Sequence, residues 1–328
     1  MKSNYRSVLA STIASYLSLK EALGRLYGVE RRVLAHLDAA MSAAGTDLTS
    51  QTFQRWVRTR SGLTTGVRRN WMRIVRNYCL YRRRTEPECF VPDSSQFPAC
   101  HQAIKPYIFQ EAEIVQLLAQ TARIAAGNGS PLRRENALLG LVLLYTAGLR
   151  RGELLRLTVG DCDLSEGTLL VRESKFHKSR LLPLSTDALY AIKAILHKRK
   201  RHRLPLHRDA PLLLSRHGAY SGTGFSQIIG DLLRRSGIST PAGRPPRVHD
   251  FRHTFAVHAL LRWYRLGEDV QAKLPALATY MGHVSVVSTE HYLQLVEELT
   301  AFASDRFERR YGALVAGTDG GRKGGGRS

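Results

Sequence analysis

Acidic residues are scarce in this sequence of 328 residues. Lysine and arginine together number 49, against 27 aspartates and glutamates, which gives a formal net charge of +22. Positive charges in such excess repel one another unless a polyanion compensates them, and nucleic acid is the usual polyanion. An anionic membrane surface is the alternative partner, but the sequence has no basic amphipathic helix with an apolar insertion face. The shortage of acids therefore favours nucleic acid as the partner and argues against a membrane.

Cysteine and long apolar runs are also rare. The four cysteines are Cys79, Cys89, Cys100 and Cys162. They form no CxxC pair, which argues against a zinc site or a disulfide framework and favours a reduced, cytoplasmic protein. The longest apolar run, Ala137 to Leu149, is too short to span a bilayer and is typical of a buried helix. Near the N-terminus, serines interrupt the apolar run, which argues against a signal peptide. The apolar residues there follow helical spacing, which predicts a first helix.

The length favours two domains, and a hydrophobic content of 43% is sufficient for packed cores. Residues 1–85 have apolar residues at three- and four-residue spacing, which predicts a helical domain. The predicted helices are Leu9–Leu26, Val33–Ala43, Phe53–Arg58 and Val67–Tyr81. Thr49 is the candidate cap of the third helix, and Thr64 or Thr65 that of the fourth. Residues 86–106 contain four prolines and no helical period, which predicts a linker. A second domain then spans residues 107–315, and the Gly-rich basic tail, 316–328, is expected to be disordered.

The second domain is predicted to be mainly helical with one small hairpin. Helices are expected near residues 109–125 and 132–147, the second ending at Gly148, and a short helix is expected in "RGELLRL". The β-prone runs "GTLLVRES" and "SRLLPLS" are separated by "KFHK", which predicts a hairpin. From residue 186 to about 313 the pattern is again helical.

One stretch lacks acidic residues altogether: Leu48 to Thr85 contains ten arginines and neither Asp nor Glu. The arginines expected to contact DNA are Arg55, Arg58, Arg68, Arg69, Arg73 and Arg76. A face that is merely solvated normally mixes charges of both signs, so phosphate contact is the favoured interpretation. The alternative is a solvated basic face around the core residues Trp56 and Trp71. A second basic run, "HKRKRHR", fits either a solvated helix end or a phosphate contact.

The motif "HDFRHTF" places His249, Arg252 and His253 at helical spacing, so that they share a helix face. Two histidines four residues apart also occur in zinc-binding helices. However, Asp250 occupies the position of the metalloprotease glutamate, and Arg252 would place a fixed positive charge beside the metal ion. We therefore expect neither a metal nor any other cofactor. A helix with incidental histidines is the alternative for this motif taken alone.

Four segments, in order, resemble the successive motifs of the tyrosine recombinase family, also called phage-type integrases. They are "AGLRRGELLRLTVGDCDL", "KFHKSRLLPL", "HDFRHTFA" and "MGHVSVVSTEHY". The resemblance covers residues 107 to about 300, whereas the N-terminal part is similar to the helical DNA-clamping domain of the family only in composition and placement. The resemblance implies a mainly α fold with a small β-sheet, in which a core-binding domain and a catalytic domain clamp duplex DNA in a C shape.

Matched position by position, the resemblance implies a catalytic set: Arg150, Lys175, His249, Arg252, His283 and Tyr292. The arginines would hold the nonbridging phosphate oxygens by charge-assisted hydrogen bonds. Tyr292 would be the nucleophile, with His249 for proton transfer and His283 donating a hydrogen bond to the phosphate. Lys175 would protonate the departing 5′-hydroxyl, although Lys178 shares its turn. The resulting 3′-phosphotyrosyl bond conserves the energy of the broken phosphodiester, so rejoining needs no ATP. None of these residue roles requires a metal ion.

The resemblance further implies a homo-tetramer that joins two double-stranded DNA sites and exchanges strands through a Holliday junction at the bacterial nucleoid. Two alternatives remain open: a type IB topoisomerase-like enzyme that nicks and reseals, and a DNA-binding protein of the same fold without activity. Three residues depart from the family pattern. Arg151 and Gly152 stand where an apolar residue and a serine are common, and Phe251 stands where leucine is common. These changes concern local packing and not the chemistry.

Overall fold

The computed structural model describes residues 5–25, 27–99, 105–125, 132–172, 179–283, 289 and 291–294. The chain divides into two compact units, Met1–Ile104 and Lys105–Ser328. The predicted hairpin turn with Lys175 and Lys178 and the predicted disordered tail both lie outside the described residues. Within the described part, no helix combines the length and the apolar character needed to cross a membrane.

In the described part of the first unit, four α-helices form the framework: α1 (Ala10–Ala22), α2 (Gly28–Ala44), α3 (Ser50–Arg58) and α4 (Thr65–Arg82). Their apolar faces meet in one core. The start of α3 confirms Thr49 as a cap, since its hydroxyl accepts a hydrogen bond from the backbone N–H of Thr52 at 3.2 Å. The first helix ends at Ala22 and not at Leu26, because Gly24 adopts a left-handed conformation (φ 73°) just after it.

The segment that follows α4 packs against the same unit. Arg76 donates a hydrogen bond to the carbonyl of Pro92 at 2.7 Å, and Arg69 donates one to the carbonyl of Pro98. The side chain of Phe97 is buried in the core of the unit. The packed part of the first unit therefore extends past residue 85 into the stretch that its prolines predicted to be a linker.

The helices of the second unit are α5 (Glu111–Gln120), α6 (Arg133–Thr146), α7 (Arg151–Arg156), α8 (Thr186–Arg201), α9 (Gly222–Arg235), α10 (Asp250–Arg265) and α11 (Val270–Met281). The central element is α6, which packs against α8 and α10 and buries Leu139, Leu143 and Leu144. The ring of Phe251 stacks on Phe109 with centroids 4.4 Å apart in the same core. The phenylalanine at this position is thus accommodated by an aromatic partner.

Three short strands form an antiparallel sheet in the order β1 (Cys162–Asp163), β2 (Thr168–Val171) and β3 (Arg180–Pro183). Pairing of Thr168 with Pro183 and of Val171 with Arg180 confirms the predicted hairpin. The mainly helical fold with a small sheet is likewise confirmed. The first strand of the sheet had no counterpart in the sequence-based prediction.

The helical pattern predicted from residue 186 onward is wrong between α8 and α9. Strands β4 (Leu214–Ser215) and β5 (Gly218–Ala219) form a short antiparallel hairpin there. The hydroxyl of Ser215 donates to the carbonyl of Gly218 at 2.8 Å, and Gly218 has a φ of 97°, which L-residues rarely adopt. Strands of two residues show no alternation of apolar and polar positions, so hydrophobic periodicity could not reveal them.

Candidate active site

The end of α6 brings the first arginine of the set into place. Gly148 ends the helix with a left-handed backbone (φ 57°), as its sequence position predicted. A Cβ atom at this residue would collide with the ring of Phe255, so glycine is also required for space. The carbonyl of Gly148 accepts a hydrogen bond from Nη1 of Arg252 at 2.7 Å. The same turn therefore orients Arg150 and anchors Arg252.

Arg150 is the N-cap residue of α7 and is held by Glu153 one turn later. Its backbone N–H donates to Oε2 of Glu153 at 2.9 Å, and its Nη1 donates to Oε1 at 2.6 Å. Its Nη2 donates to the carbonyl of Gly282, at the end of α11, at 3.0 Å. Residues of α7 and of the end of α11 thus hold the Arg150 guanidinium from two sides. A quarter of the Arg150 side chain stays exposed (25%).

Arg252 lies on the first turn of α10 and is almost fully buried, with 1% exposure. Its guanidinium donates to the backbone carbonyls of Gly148 and Met281. Burial and the neighbouring positive charge of Arg150 lower the pKa of Arg252 to about 10, which still leaves it protonated at neutral pH. These two carbonyls and the Tyr292 hydroxyl, with which Arg252 also forms a hydrogen bond, carry no charge, so the charge of Arg252 is available to an incoming anion.

A buried carboxylate, Glu153, joins two arginines of the site. Arg180, the first residue of β3, donates to its two oxygens at 3.1 and 2.9 Å and also donates from Nε to the carbonyl of Tyr280 at 2.7 Å. Burial alone would raise the pKa of Glu153, but hydrogen bonds from Arg180 and Arg150 outweigh it and lower the pKa to about 2. Glu153 is therefore ionised at any ordinary pH.

Neither Glu153 nor Arg180 was among the residues to which the motifs assigned a role. The spacing of Arg150 and Glu153, three residues apart at the start of a helix, is a capping pattern and could have indicated their contact. No local pattern links Glu153 to Arg180, which is 27 positions away. That contact depends on how the β-sheet lies against α7.

Tyr292 is buried at 4% exposure in the core formed by α10 and α11. Its ring centroid lies 5.5 Å from that of His253 and 6.2 Å from that of His283, which is nearly parallel to it. Burial raises the pKa of the Tyr292 hydroxyl, while the positive charges of Arg252 and Arg150 oppose this rise. The two predicted arginines and the predicted nucleophile therefore act on one another electrostatically.

Two histidines, His253 and His283, lie beside this tyrosine, and a third, His249, contacts His253. His249, at the N-cap of α10, and His253 lie edge to face with centroids 4.7 Å apart. Burial and the charge of Arg252 lower the pKa of His249, and burial and His249 lower that of His253 to about 4. Burial and the charges of Arg252 and Arg150 lower the pKa of His283 to about 4 as well. All three rings are therefore neutral at neutral pH.

His253 was considered only as a metal ligand in the sequence, and the structure gives it another environment. Its Nδ1 atom is buried and has no hydrogen-bond partner among the described residues. Its ring contacts both His249 and Tyr292. Among the residues that the structure describes, no group of three or more His, Cys, Asp or Glu side chains is arranged to hold a metal ion.

The six arginines expected to contact DNA belong to α3 and α4 of the first unit. Arg55, Arg58 and Arg73 are exposed, and Arg73 donates to the side-chain carbonyl of Asn70 at 2.8 Å. The remaining three are partly buried, namely Arg68, Arg69 and Arg76. Two of these, Arg69 and Arg76, hold the segment after α4, so they contribute to the packing of the unit.

The arrangement of the second unit is that of a known family. The model of the phage integrase family matches residues 108–298, more than half of the chain. The chain belongs to the phage integrase family. The resemblance inferred from four short motifs is thereby confirmed, and the protein is a tyrosine recombinase, an enzyme class that breaks and rejoins DNA strands.

Individual proteins that are similar in sequence to this phage integrase family member are also described as recombinases. A Sinorhizobium fredii protein described as an integrase/recombinase, y4rB, is 28% identical over 93% of this chain and 98% of its own length. The tyrosine recombinase XerD of Mycobacterium leprae is 32% identical over 59% of this chain and 60% of its own length.

Solved structures show the same fold at low sequence identity. The Tn1549 transposon integrase, solved with transposon right-end DNA, has a TM-score of 0.62 and 17% identity over 91% of this chain and 98% of that one. The XerH recombinase, solved with its difH substrate after cleavage, has a TM-score of 0.59 and 17% identity over 84% and 78% of the two chains.

Proposed function

We propose that this protein is a site-specific DNA recombinase in which Tyr292 attacks a phosphodiester and forms a 3′-phosphotyrosyl intermediate. The observation that carries the proposal is the position of Arg252, a buried cation with neutral carbonyl partners, against the buried Tyr292. A buried positive charge that lacks a carboxylate partner has a large electrostatic preference for an anion. The scissile phosphate supplies that anion.

The arginines stabilise the charge that develops during the reaction. Attack by the tyrosine oxygen places additional negative charge on the nonbridging oxygens of the phosphate. Arg150 and Arg252, each fixed by two segments of the fold, donate to these oxygens without reorganisation. Loss of one such preorganised donor costs about 3–4 kcal/mol of transition-state stabilisation. Arg180 takes part indirectly, because it shares the carboxylate of Glu153 with Arg150.

The histidines and the hairpin lysine divide the proton transfers. His249 is neutral at neutral pH, so it can accept the proton of Tyr292 as the O–P bond forms. His283, also neutral, donates a hydrogen bond to a nonbridging oxygen. Lys175 gives a proton to the departing 5′-oxygen as the P–O bond breaks. In the reverse direction, a 5′-hydroxyl from another strand attacks the phosphotyrosine and releases Tyr292.

The proposal extends to assembly and location. The first unit, Met1–Ile104, is the core-binding domain and binds duplex DNA through the basic residues of α3 and α4, and residues 107–315 are the catalytic domain. Four copies join two DNA sites, cleave one pair of strands at a time and pass through a Holliday junction. The protein acts in the bacterial cytoplasm at the nucleoid. Support comes from the net charge of +22 and from relatives solved with DNA.

Covalent capture tests the proposal without knowledge of the target sequence. The full chain is incubated with randomised duplexes that carry a nick beside the randomised region, so that cleavage releases a short fragment and traps the protein on DNA. We expect adducts that survive denaturing gels, form equally in EDTA, and yield a shared sequence when their DNA is read. Adducts that require Mg²⁺ contradict the metal-free mechanism, and absence of any adduct contradicts the enzymatic proposal.

The selected sequence then separates recombination from simple nicking and resealing. Two differently labelled duplexes that carry it are mixed with the protein. Strand exchange gives a four-way junction and hybrid products. Relaxation of a supercoiled plasmid without hybrid products indicates a topoisomerase-like enzyme instead.

A further inference from the structure

Thr289 is completely buried, with 0% exposure, and its hydroxyl oxygen lies 2.8 Å from Nδ1 of His283. A threonine hydroxyl that is removed from water needs a hydrogen-bond partner, since a buried polar group left unpaired is destabilising. Here the partner is a ring of the candidate active site. The motif comparison assigned a role to His283 but none to Thr289.

The backbone of His283 is already fixed by its surroundings. Gly282 ends α11 with a left-handed backbone (φ 65°), and the N–H of His283 donates to the carbonyl of Ala278 at 2.9 Å. The carbonyl of Gly282 accepts the hydrogen bond from Arg150. What the backbone does not determine is which face of the imidazole is turned inward and which of its nitrogens carries the hydrogen.

These two choices decide what His283 can do to a phosphate. Burial and three neighbouring arginines lower its pKa to about 4, so the ring is neutral and carries a single N–H. With the hydrogen on Nε2, the ring donates to an anionic oxygen; with the hydrogen on Nδ1, it presents a lone pair that repels the anion. The hydrogen bond made by one ring nitrogen sets the protonation of the other.

We propose that Thr289 is a positioning residue: its hydroxyl donates to Nδ1 of His283 and thereby fixes the ring hydrogen at Nε2, facing the scissile phosphate. The inference rests on the proposed role of His283 as a phosphate-oxygen donor. The ring of Tyr292 is inclined by 17° to the imidazole of His283, with ring centroids 6.2 Å apart. Thr289 would then link the ring that binds phosphate to the short turn His291–Gln294, which carries the nucleophile.

Nitrogen NMR of the full chain tests the tautomer directly and needs neither DNA nor activity. Protein labelled with ¹⁵N-histidine is compared with the His283→Asn variant to assign the ring. We expect Nδ1 to be unprotonated and Nε2 protonated in the wild type. A wild-type ring with the hydrogen on Nδ1 overturns the inference, whether or not any variant folds.

Two substitutions then separate the hydroxyl from the shape of the side chain. Thr289→Val keeps the volume and removes the hydroxyl, and it should give a mixture of His283 tautomers. Thr289→Ser keeps the hydroxyl and should retain the wild-type tautomer. Thr121→Val is the matched control, because Thr121 is also buried (2% exposure) and its hydroxyl donates only to the carbonyl of Leu118 at 2.7 Å. A Thr289→Val spectrum identical to that of the wild type contradicts the inference.

Adduct formation on a trapped duplex provides the functional readout. Loss of a residue that orients a catalytic group costs on the order of 10-fold in rate. The rate of adduct formation should fall by that factor in Thr289→Val and should stay near the wild-type rate in Thr289→Ser and Thr121→Val. If the wild type forms no adduct but the spectra behave as expected, the proposed function fails, and what stands is that Thr289 fixes the tautomer of His283. If Thr289→Val cleaves at the wild-type rate, the positioning role fails and the proposed function is untouched.

Discussion

Glu153 holds two arginines of the active site with one buried carboxylate. Its oxygens accept hydrogen bonds from Arg150 at 2.6 Å and from Arg180 at 2.9 and 3.1 Å. Removing one member of a buried ion pair leaves the remaining charges without compensation, which costs more than the pair contributes. Glu153 therefore reduces the repulsion between the positive charges of Arg150 and Arg180 in the absence of DNA.

Glu153→Gln should lower the free energy of unfolding at pH 7 by about 3 kcal/mol. The pKa of Glu153 is depressed from 4.5 to about 2 in the folded state. Its contribution is therefore fully present above pH 4.5 and disappears as the pH falls from 4.5 towards 2. Urea unfolding of both proteins at pH 7 and at lower pH measures this, and the difference between them should shrink on acidification.

The matched control for this measurement is Glu135→Gln. Glu135 pairs with Lys198 at 2.6 Å, but the lysine side chain is 44% exposed. Exposed ion pairs contribute about 0–1 kcal/mol, so this variant should change little. Equal losses in the two variants would mean that the Glu153 cluster contributes no more than a surface pair.

The resemblance to the tyrosine recombinases implied much of the candidate site. It named Arg150, Arg252, His283 and Tyr292, and the fold brings all four together. Contacts between segments were not predictable in this way, because a hydrogen bond between residues far apart leaves no local pattern.

At the level of the elements, the junction of α6 and α7 positions the chemistry. Gly148 allows the chain to turn, and its carbonyl anchors Arg252. Arg151, which stands where the family commonly has an apolar residue, donates from Nη1 to the hydroxyl of Ser226 on α9 at 2.7 Å. This departure from the family pattern thus adds a polar contact between α7 and α9.

Gly148→Ala should lower the free energy of unfolding by more than about 2 kcal/mol and also slow adduct formation. The left-handed backbone alone costs an alanine about 1–2 kcal/mol, and the added Cβ collides with Phe255. Gly237→Ala is the control, since Gly237 has a similar φ of 66° and no atom within 4 Å of its would-be Cβ. Thermal unfolding and covalent capture should separate the two variants; equal effects would show that the contact with Phe255 is unimportant.

Helices with a long run of regularly spaced apolar residues were predictable from the sequence. Short strands whose position depends on turns were not. The helices α2, α4 and α6 each extend over more than three turns, and their apolar spacing identified them. The two-residue strands β4 and β5 were missed. The basic run "HKRKRHR" was interpreted as a solvated helix end or a phosphate contact. Arg199 within it fits neither interpretation, because it is fully buried and donates to the carbonyls of Pro211 and Leu212.

For the whole molecule, charge is the dominant property. The net charge of +22 predicts that binding to duplex DNA weakens steeply with salt, because each phosphate contact releases bound counterions. The sequence alone predicted this polyanion partner. It did not distinguish basic residues that remain exposed from those that support the fold, since both kinds occur in the same acid-free stretch.

Arg58→Ala should reduce the slope of log K against log salt by about one, measured on a duplex of arbitrary sequence. Arg58 is exposed on the last turn of α3. Arg76→Ala should instead lower stability, because Arg76 holds the carbonyl of Pro92. An unchanged slope for Arg58→Ala would remove this residue from the proposed DNA surface.

The chemical identity of the protein–DNA bond shows directly whether Tyr292 is the nucleophile. After covalent capture, the DNA is digested to a single nucleotide and the protein to peptides, and mass spectrometry locates the added 3′-phosphonucleotide. We expect that the nucleotide is attached to Tyr292 and that Tyr292→Phe forms no adduct. Tyr280→Phe, which alters a half-buried tyrosine stacked on Phe255, should still form one. A nucleotide attached to any other residue, or an adduct that persists in Tyr292→Phe, would contradict the assignment of Tyr292 as the nucleophile.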